Sequence, residues 1–361
     1  MEGRSLFTFD KVVEAYYSCR QGKRNSFSSL SFEVDLFRNL KELYEDIRDD
    51  KYYPSPSICF VVSRPKYRKV WAAQFRDRVV HHIIYNEISP YWSKKWSADS
   101  CATIKGRGTL YGAKRLDRHI RSFTNNWSEE RWYLKCDLSN FFNSIDKNIL
   151  WQLLLPSFNS YWLEGLTRKV LFDDPTVEGI YLSSPEEFSK IPKRKKLKYS
   201  GKGIGIPIGN LTSQLFANVL LNELDQFVKR DLKILKYIRY VDDYISLGAS
   251  SRECSLWRKE IEEFLPSLGL YNNPKKCFIH SVNRGVHFVG HSIYPHYQMP
   301  LRGTVSRSED NITQENINSY VSLFSQSDNS FNLIEGILSK NNLTTQVRNH
   351  LAKVKEVKES K

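Results

Sequence analysis

The run YIRYVDDYISLG, residues 237–248, constrains this chain more than any other segment. Two adjacent carboxylates interrupt a stretch otherwise rich in β-forming Tyr, Ile and Val. Asp is disfavoured inside strands, so the run reads as a β-hairpin with Asp242 and Asp243 at its turn. A conflict between charge and local propensity is expected where a site serves function. On a hairpin turn the two side chains splay, which lets at least one reach a metal ion. Taken alone, the pair also fits an ordinary Asp-containing turn.

A second segment strengthens the functional reading. WYLKC, residues 132–136, is strand-like and ends on Asp137, followed by LSNFFNSID up to Asp146. By itself Asp137 fits the N-cap of the next helix. Together, three carboxylates on neighbouring strands form a set of hard oxygen donors. Such a set suits Mg²⁺, which takes a few carboxylates plus water and substrate phosphates. Two such ions clamp the attacking and leaving oxygens of an in-line displacement at phosphorus.

The charge balance points the same way. The 361 residues hold 54 Lys plus Arg against 40 Asp plus Glu, a net charge of +14. A surplus this large implies a polyanionic partner, nucleic acid before an anionic membrane surface. With 40 % hydrophobic and 13 % aromatic residues, the composition is that of a packed core and not of a disordered chain. No run of about 18 apolar residues exists, so no bilayer span is expected. Met1 to Asp10 lacks the apolar centre of a signal peptide, and a cytoplasmic location is expected. Cys19, Cys59, Cys101, Cys136, Cys254 and Cys277 form no CxxC pair, which argues against a zinc ribbon. Without a secretion signal they are expected as reduced thiols.

Apolar residues at three- and four-residue spacing mark a helix over 30–50, where Phe32, Leu36, Leu40 and Leu43 recur, and another over 75–92. Residues 144–156, 212–230 and 252–268 also read as helical. β-prone runs end at Val62 and span 285–295. Strands and helices intermixed in this order predict an α+β fold with helices on one face of an antiparallel sheet. Residues 173–203 are polar and include Lys193, Arg194, Lys195, Lys196 and Lys198. They read as an insertion, either a solvated loop or one that contacts phosphates. The Lys- and Glu-rich residues from 350 on are expected to fray.

LKCDLSNFFNSID, GIGIPIGNLTSQLFANVLLNELD and IRYVDDYISLG resemble, in order, the three central palm motifs of bacterial reverse transcriptases. RPKYRKVWAAQFRDRVVHH resembles the family's fingers motif, and SCATIKGRGTLYGA the glycine-containing segment after it. LGLYNNPKKC and GVHFVGHSIYP resemble the motifs beyond the catalytic hairpin, so the likeness covers residues 55–300. It implies a right-hand polymerase fold of the α+β class. The N-terminal region and fingers would occupy 1–130, a ferredoxin-like palm with its insertion 131–300, and a short helical thumb and tail 301–361. It also implies an RNA-directed DNA polymerase using two Mg²⁺ ions, with Mn²⁺ able to substitute. The implied partners are an RNA template or noncoding RNA, the DNA product and dNTPs. An accessory protein or second reverse transcriptase subunit is a further candidate partner, and a membrane is not.

The resemblance also assigns roles. Asp137 and Asp242 match the principal metal ligands, and Asp243 is either a ligand or the group behind one. Phe142, five residues after Asp137, matches the aromatic floor under the sugar that rejects a ribose 2′-OH; Phe141 beside it is the alternative. Lys66 and Arg68 match the basic residues that hold the incoming triphosphate, an Arg fork suiting phosphate oxygens better than a Lys point charge. Arg76 and Arg78 lie near them in sequence, one being open to an internal ion pair with Asp77 or Glu87. Gly209, Asn210, Ser213 and Gln214 match the segment lining the nascent base pair, with Gly209 permitting close backbone approach. Lys105, Gly106, Arg107, Gly108 and Thr109 match a segment that tracks the template backbone. Lys276, or Lys275 in the adjacent register, matches the lysine that protonates the pyrophosphate leaving group. Phe288 and Gly290 match the primer-grip turn. His81 and His82 have no third ligand spaced with them and read as helix-packing residues. IGNLTSQ resembles enzymes of diversity-generating retroelements and related stand-alone, defence-associated reverse transcriptases. Two settings are therefore open: antiviral defence, toward which the basic insertion tilts, and mutagenic copying of a template repeat. The alternative class is a catalytically silent RNA-binding scaffold, against which the three Asp argue.

Overall fold

The computed structural model describes residues 6–21, 26–63, 66–312, 317–324, 334 and 336. Helices α1 (Phe9–Arg20), α2 (Phe27–Glu33) and α3 (Leu36–Arg48) precede strands β1 (Ile58–Val62) and β2 (Arg68–Ala72). Next come α4 (Phe75–Ser93), α5 (Thr109–Phe123), β3 (Trp132–Asp137), α6 (Phe141–Ser144), α7 (Lys147–Leu154) and α8 (Tyr161–Phe172). The insertion contributes β4 (Ile180–Tyr181) and α9 (Pro185–Ser189). After α10 (Leu211–Gln226) follow β5 (Tyr237–Tyr240), β6 (Asp243–Gly248) and α11 (Ser251–Phe264). Strands β7 (Phe278–Ser281), β8 (Val286–Phe288), β9 (His291–Tyr294) and β10 (Tyr297–Pro300) lead into α12 (Arg302–Asn311) and α13 (Ile317–Phe324). The expected α+β class is what these elements form. Of the expected thumb and tail, residues 313–316, 325–333, 335 and 337–361 lie outside the described residues.

The helix expected over 30–50 is two helices. Asp35 takes up φ −130°, ψ 60° and becomes the N-cap position of α3. Asp is a poorer helix former than the Leu, Lys, Glu and Arg around it, and the break falls at it. Asn39 Nδ2 donates to the Phe32 carbonyl at 2.8 Å across the break. From there α3 buries Leu40, Leu43 and Ile47 along one face.

The described residues fall into two compact units. The first lies within Met1–Ser97, Asp137–Asp231 and Glu260–Asn273. Its central helix is α10, which is buried on nearly all sides, as a helix with apolar residues all round must be. Both α10 and α1 pack on α4. The unit's sheet runs β2–β1–β4. β1 and β2 pair antiparallel from Ile58↔Ala72 to Val62↔Arg68. β4 joins β1 in parallel, Ile58 opposite Ile180, so this part of the insertion is built into the sheet.

The second unit lies within Ala98–Cys136, Leu232–Lys259 and Pro274–Lys361. It contains the sheet β5–β6–β3–β7 and the meander β8–β9–β10. Ile238, Ile245, Tyr133, Leu116, Ile120 and Phe288 share its core. One expectation about cysteine is corrected here: Cys136 and Cys277 form a disulfide, with Cα atoms 4.1 Å apart. The antiparallel register that pairs Lys135 with Phe278 also sets 136 opposite 277. Spacing in the sequence could not reveal that pairing across 141 residues. The other four cysteines are buried thiols. Among the described residues no helix is long and apolar enough to cross a membrane.

Candidate active site

The hairpin β5–β6 closes with Tyr240 opposite Asp243, leaving Val241 and Asp242 as a two-residue turn. Val241 sits at φ +54°. That region disfavours a β-branched residue, and the first central position of such a turn ordinarily takes Gly. A buried guanidinium holds the turn. Arg239, 0 % exposed, donates from Nη1 to the Val241 carbonyl at 3.1 Å and from Nη2 to Ser100 Oγ at 2.9 Å. Its backbone is fixed as well, donating to the Asp99 carbonyl and accepting from the Cys101 amide, each at 2.9 Å. Val241→Gly removes the left-handed penalty and is expected to raise folding stability by about 1 kcal/mol. A denaturant midpoint that falls in this variant would show that the turn is unstrained.

Asp243, the first residue of β6, forms an ion pair through Oδ2 with Lys135 Nζ at 3.0 Å. The same ammonium donates to the His287 carbonyl at 2.7 Å, on β8. Lys135 thus links the Asp-bearing hairpin to the β8–β9 hairpin. Sequence reasoning missed both Arg239 and Lys135. A signal for Lys135 was present: it lies two residues before Asp137, and strand alternation puts both on one face of β3 while Leu134 and Cys136 are buried on the other. Asp137, Asp242 and Asp243 are all partly exposed. Their donor chemistry, carboxylate oxygens only, fits a hard divalent ion. As placed, no three His, Cys, Asp or Glu side chains converge to hold a metal among the described residues.

Within the first unit, the loop after Asp137 turns sharply at Asn140, φ +49°. It sends Phe141 into the core at 2 % exposure and leaves Phe142 half-buried. Of the two rings, only Phe142 is therefore accessible to a ligand. Lys66 and Arg68 are exposed at the entry to β2. Arg76 bonds instead to Asp46 at 2.7 Å and Asp77 at 3.4 Å, and Glu87 pairs with Lys11. His81 is buried on α4.

Gly209 has a structural reason of its own. It sits at φ +126°, and a Cβ there would lie 2.8 Å from the Trp71 carbonyl oxygen. The close approach is to β2, where Trp71 donates to the Ile208 carbonyl at 2.8 Å. Asn210 and Ser213 are buried, and Asn210 Oδ1 accepts from the Ala73 amide at 3.1 Å. Ser213 is buried beside it on α10, and Gln214 is exposed on the same helix.

In the second unit, Lys105 and Thr109 are exposed. Nothing lies within 4 Å of where a Cβ would stand on Gly106 or Gly108, which leaves that backbone open to a ligand. Arg107 is less available, since Nη1 donates to the Ser100 carbonyl at 2.8 Å. Val289 and Gly290, at φ +44° and +89°, form the tight turn between β8 and β9. Phe288 is 1 % exposed and belongs to the core, so it anchors this turn without reaching a primer itself. Lys276 is half-buried at the end of the short helix Pro274–Lys276, and Lys275 is exposed.

The family model described as reverse transcriptase (RNA-dependent DNA polymerase) matches residues 56–293. Among curated proteins, the chain is 22 % identical over 286 residues to nuclear intron maturase 1, mitochondrial, of Arabidopsis thaliana, covering 63 % of this chain and 35 % of that protein. It is 21 % identical over 296 residues to protein YkfC of Escherichia coli K12, covering 72 % of each. It is 20 % identical over 335 residues to the group II intron-encoded protein LtrA of Lactococcus lactis, covering 74 % of this chain and 51 % of LtrA. The chain thus spans from about a third to about three quarters of the length of these relatives. Among solved structures, telomerase of Candida tropicalis with a fragment of telomeric RNA superposes with a TM-score of 0.49 at 11 % identity, covering 84 % of this chain and 55 % of that one.

Proposed function

Because this chain belongs to the reverse transcriptase (RNA-dependent DNA polymerase) family, we propose that it copies an RNA template into DNA by joining dNTPs through phosphoryl transfer. Its mixed helices and sheets are those of an α+β right-hand polymerase fold. The observation that carries the reading is the Asp242–Asp243 pair on a left-handed turn held by a buried guanidinium. Strain of this kind persists at active sites, where the surrounding structure over-determines it.

Asp137, Asp242 and Asp243 would hold two divalent ions, Mg²⁺ or Mn²⁺, which supply charge at the attacking and leaving oxygens. The remaining tasks fall to side chains of this protein. Lys66 and Arg68 bind the triphosphate, and the Phe142 ring closes the space a 2′-OH would need. Gln214 contacts the nascent base pair, while Gly209 positions that segment against β2. Lys276 gives its proton to the departing pyrophosphate. Lys105, Thr109 and the backbone between them follow the template, with Arg107 holding that loop. The Val289–Gly290 turn, anchored by Phe288, supports the primer end. Fingers up to residue 130, palm to 300 and thumb beyond are the matching divisions.

We further propose an antiviral defence setting with a noncoding RNA, supported by IGNLTSQ together with the basic insertion. A diversity-generating retroelement is the second reading, favoured by IGNLTSQ alone. Sequencing the nucleic acid that copurifies with the protein tests both. DNA complementary to one noncoding RNA supports defence, and DNA copies of a repeat with scattered substitutions support the retroelement. RNA without complementary DNA counts against polymerase function altogether.

A further inference from the structure

Residues 98–101, the loop 105–109 and the hairpin β5–β6 all lie in the second unit. The loop folds back on the segment before it. The Arg107 amide donates to the Ile104 carbonyl at 2.9 Å, and Gly106 sits at φ +77°. A turn closed in this way takes Gly at its third residue when a positive φ is needed there. The fold-back brings the Arg107 guanidinium to Ser100, where Nη1 donates to the carbonyl at 2.8 Å.

Ser100 is 0 % exposed and serves a second guanidinium at the same time. Its Oγ accepts from Arg239 Nη2 at 2.9 Å, while Arg239 Nη1 reaches the Val241 carbonyl at 3.1 Å. Asp242 is the next residue in the chain. One buried serine therefore stands between two arginines, one from the loop assigned to the template and one that holds the carboxylate-bearing turn. Two elements fasten the segment that carries it. With β5, Ser100 and Arg239 form a parallel bridge, the Arg239 amide donating to the Asp99 carbonyl and the Cys101 amide to the Arg239 carbonyl, each at 2.9 Å. With α5, Asp99 Oδ1 meets Arg115 Nε and, at 2.8 Å, His119 Nε2, and Tyr111 donates its hydroxyl to the Ala98 carbonyl at 2.8 Å. Hydrogen bonds to charged groups are among the stronger ones in a protein, and removing one buried partner leaves the other to bear its desolvation. These ties leave Ser100 one placement, and Arg239 takes its own from it.

We propose that Ser100 is a positioning residue. Its hydroxyl sets Arg239, and through it the turn that presents Asp242 and Asp243, while Arg107 sets Ser100 from within the loop 105–109. The part of the chain assigned to the template backbone is thereby hydrogen-bonded to a part assigned to the metal ions. The inference rests on the polymerase reading only for what the loop and the turn bind. Its first test therefore looks at the turn with neither ligand present.

Amide hydrogen exchange over residues 239–243 is compared in the wild-type chain, Ser100→Ala, Ser100→Thr, Arg107→Ala and Lys105→Ala. Ser100→Ala removes the hydroxyl that Arg239 uses, and exchange in the turn is expected to rise by about tenfold, the scale of one hydrogen bond to a charged group. Ser100→Thr keeps the hydroxyl and is expected to restore the wild-type rate. Arg107→Ala is expected to raise exchange in the same residues, whereas Lys105→Ala, which removes an exposed side chain of the same loop, leaves them as they were. Arg107→Ala keeps the Ser100 hydroxyl, so it carries the test even where Ser100→Ala fails to fold. Mn²⁺ binding, followed by electron paramagnetic resonance, is expected to weaken by about fivefold or more in Ser100→Ala and Arg107→Ala. Turn exchange unchanged in both variants, or raised equally by Lys105→Ala, would overturn the proposal. Raised exchange in a protein whose Asp242→Asn/Asp243→Asn variant binds Mn²⁺ as tightly as the wild type would uphold the positioning role and remove the metal reading instead.

Discussion

Replacing Asp242 and Asp243 together with Asn is expected to lower nucleotide incorporation by at least about a thousandfold, the scale of losing charge stabilisation at a reacting phosphoryl group. Asn keeps the size and planar shape of Asp but removes the charge a divalent ion requires. The fold should survive the change. The hairpin register rests on backbone pairing from Tyr237↔Ser246 to Tyr240↔Asp243, and the turn rests on Arg239. Lys135 loses its partner in Asp243 but keeps the His287 carbonyl. The pair is partly exposed, so its loss costs roughly 0–1 kcal/mol. Primer extension and a denaturation curve, measured on the same preparation, separate the two effects. Undiminished extension by the double variant would remove the catalytic role of the hairpin.

Phe142→Ala is expected to relax sugar selection by roughly 10- to 100-fold in the ratio of kcat/KM for dNTP over rNTP, the scale of a few buried carbon atoms in a steric pocket. The half-buried ring is the one a nucleotide can meet, whereas Phe141 lies in the core. Phe141→Ala supplies the contrast. It should cost about 3–5 kcal/mol of stability and leave the sugar ratio where it was. If Phe141→Ala changed the ratio and Phe142→Ala did not, the two roles would be exchanged.

These two expectations show where the sequence was legible. The hairpin could be read because a run of β-forming residues and an adjacent Asp pair are both local signals. The turn's left-handed Val241 could not, since nothing in the residue itself marks a positive φ. The choice between Phe141 and Phe142 needed the turn at Asn140, which fixes the ring that faces inward. Gly209 was recognised as permitting close approach, but the partner, the backbone of β2, is distant in sequence. Lys135, Arg239 and the Cys136–Cys277 disulfide all depend on which strands become neighbours, and that is decided by the fold. The insertion's basic run was visible at once, whereas its attachment to β1 and to Asn140 was not.

The most direct test of the central claim is template-directed synthesis by the purified chain. The protein is incubated with a primed RNA of known sequence, labelled dNTPs and Mg²⁺, and the product is sequenced. The expected product is DNA complementary to the RNA, absent when the ions are chelated and restored by added Mg²⁺ or Mn²⁺. No complementary DNA from a folded preparation, or equal synthesis by the Asp242→Asn/Asp243→Asn variant, would contradict it.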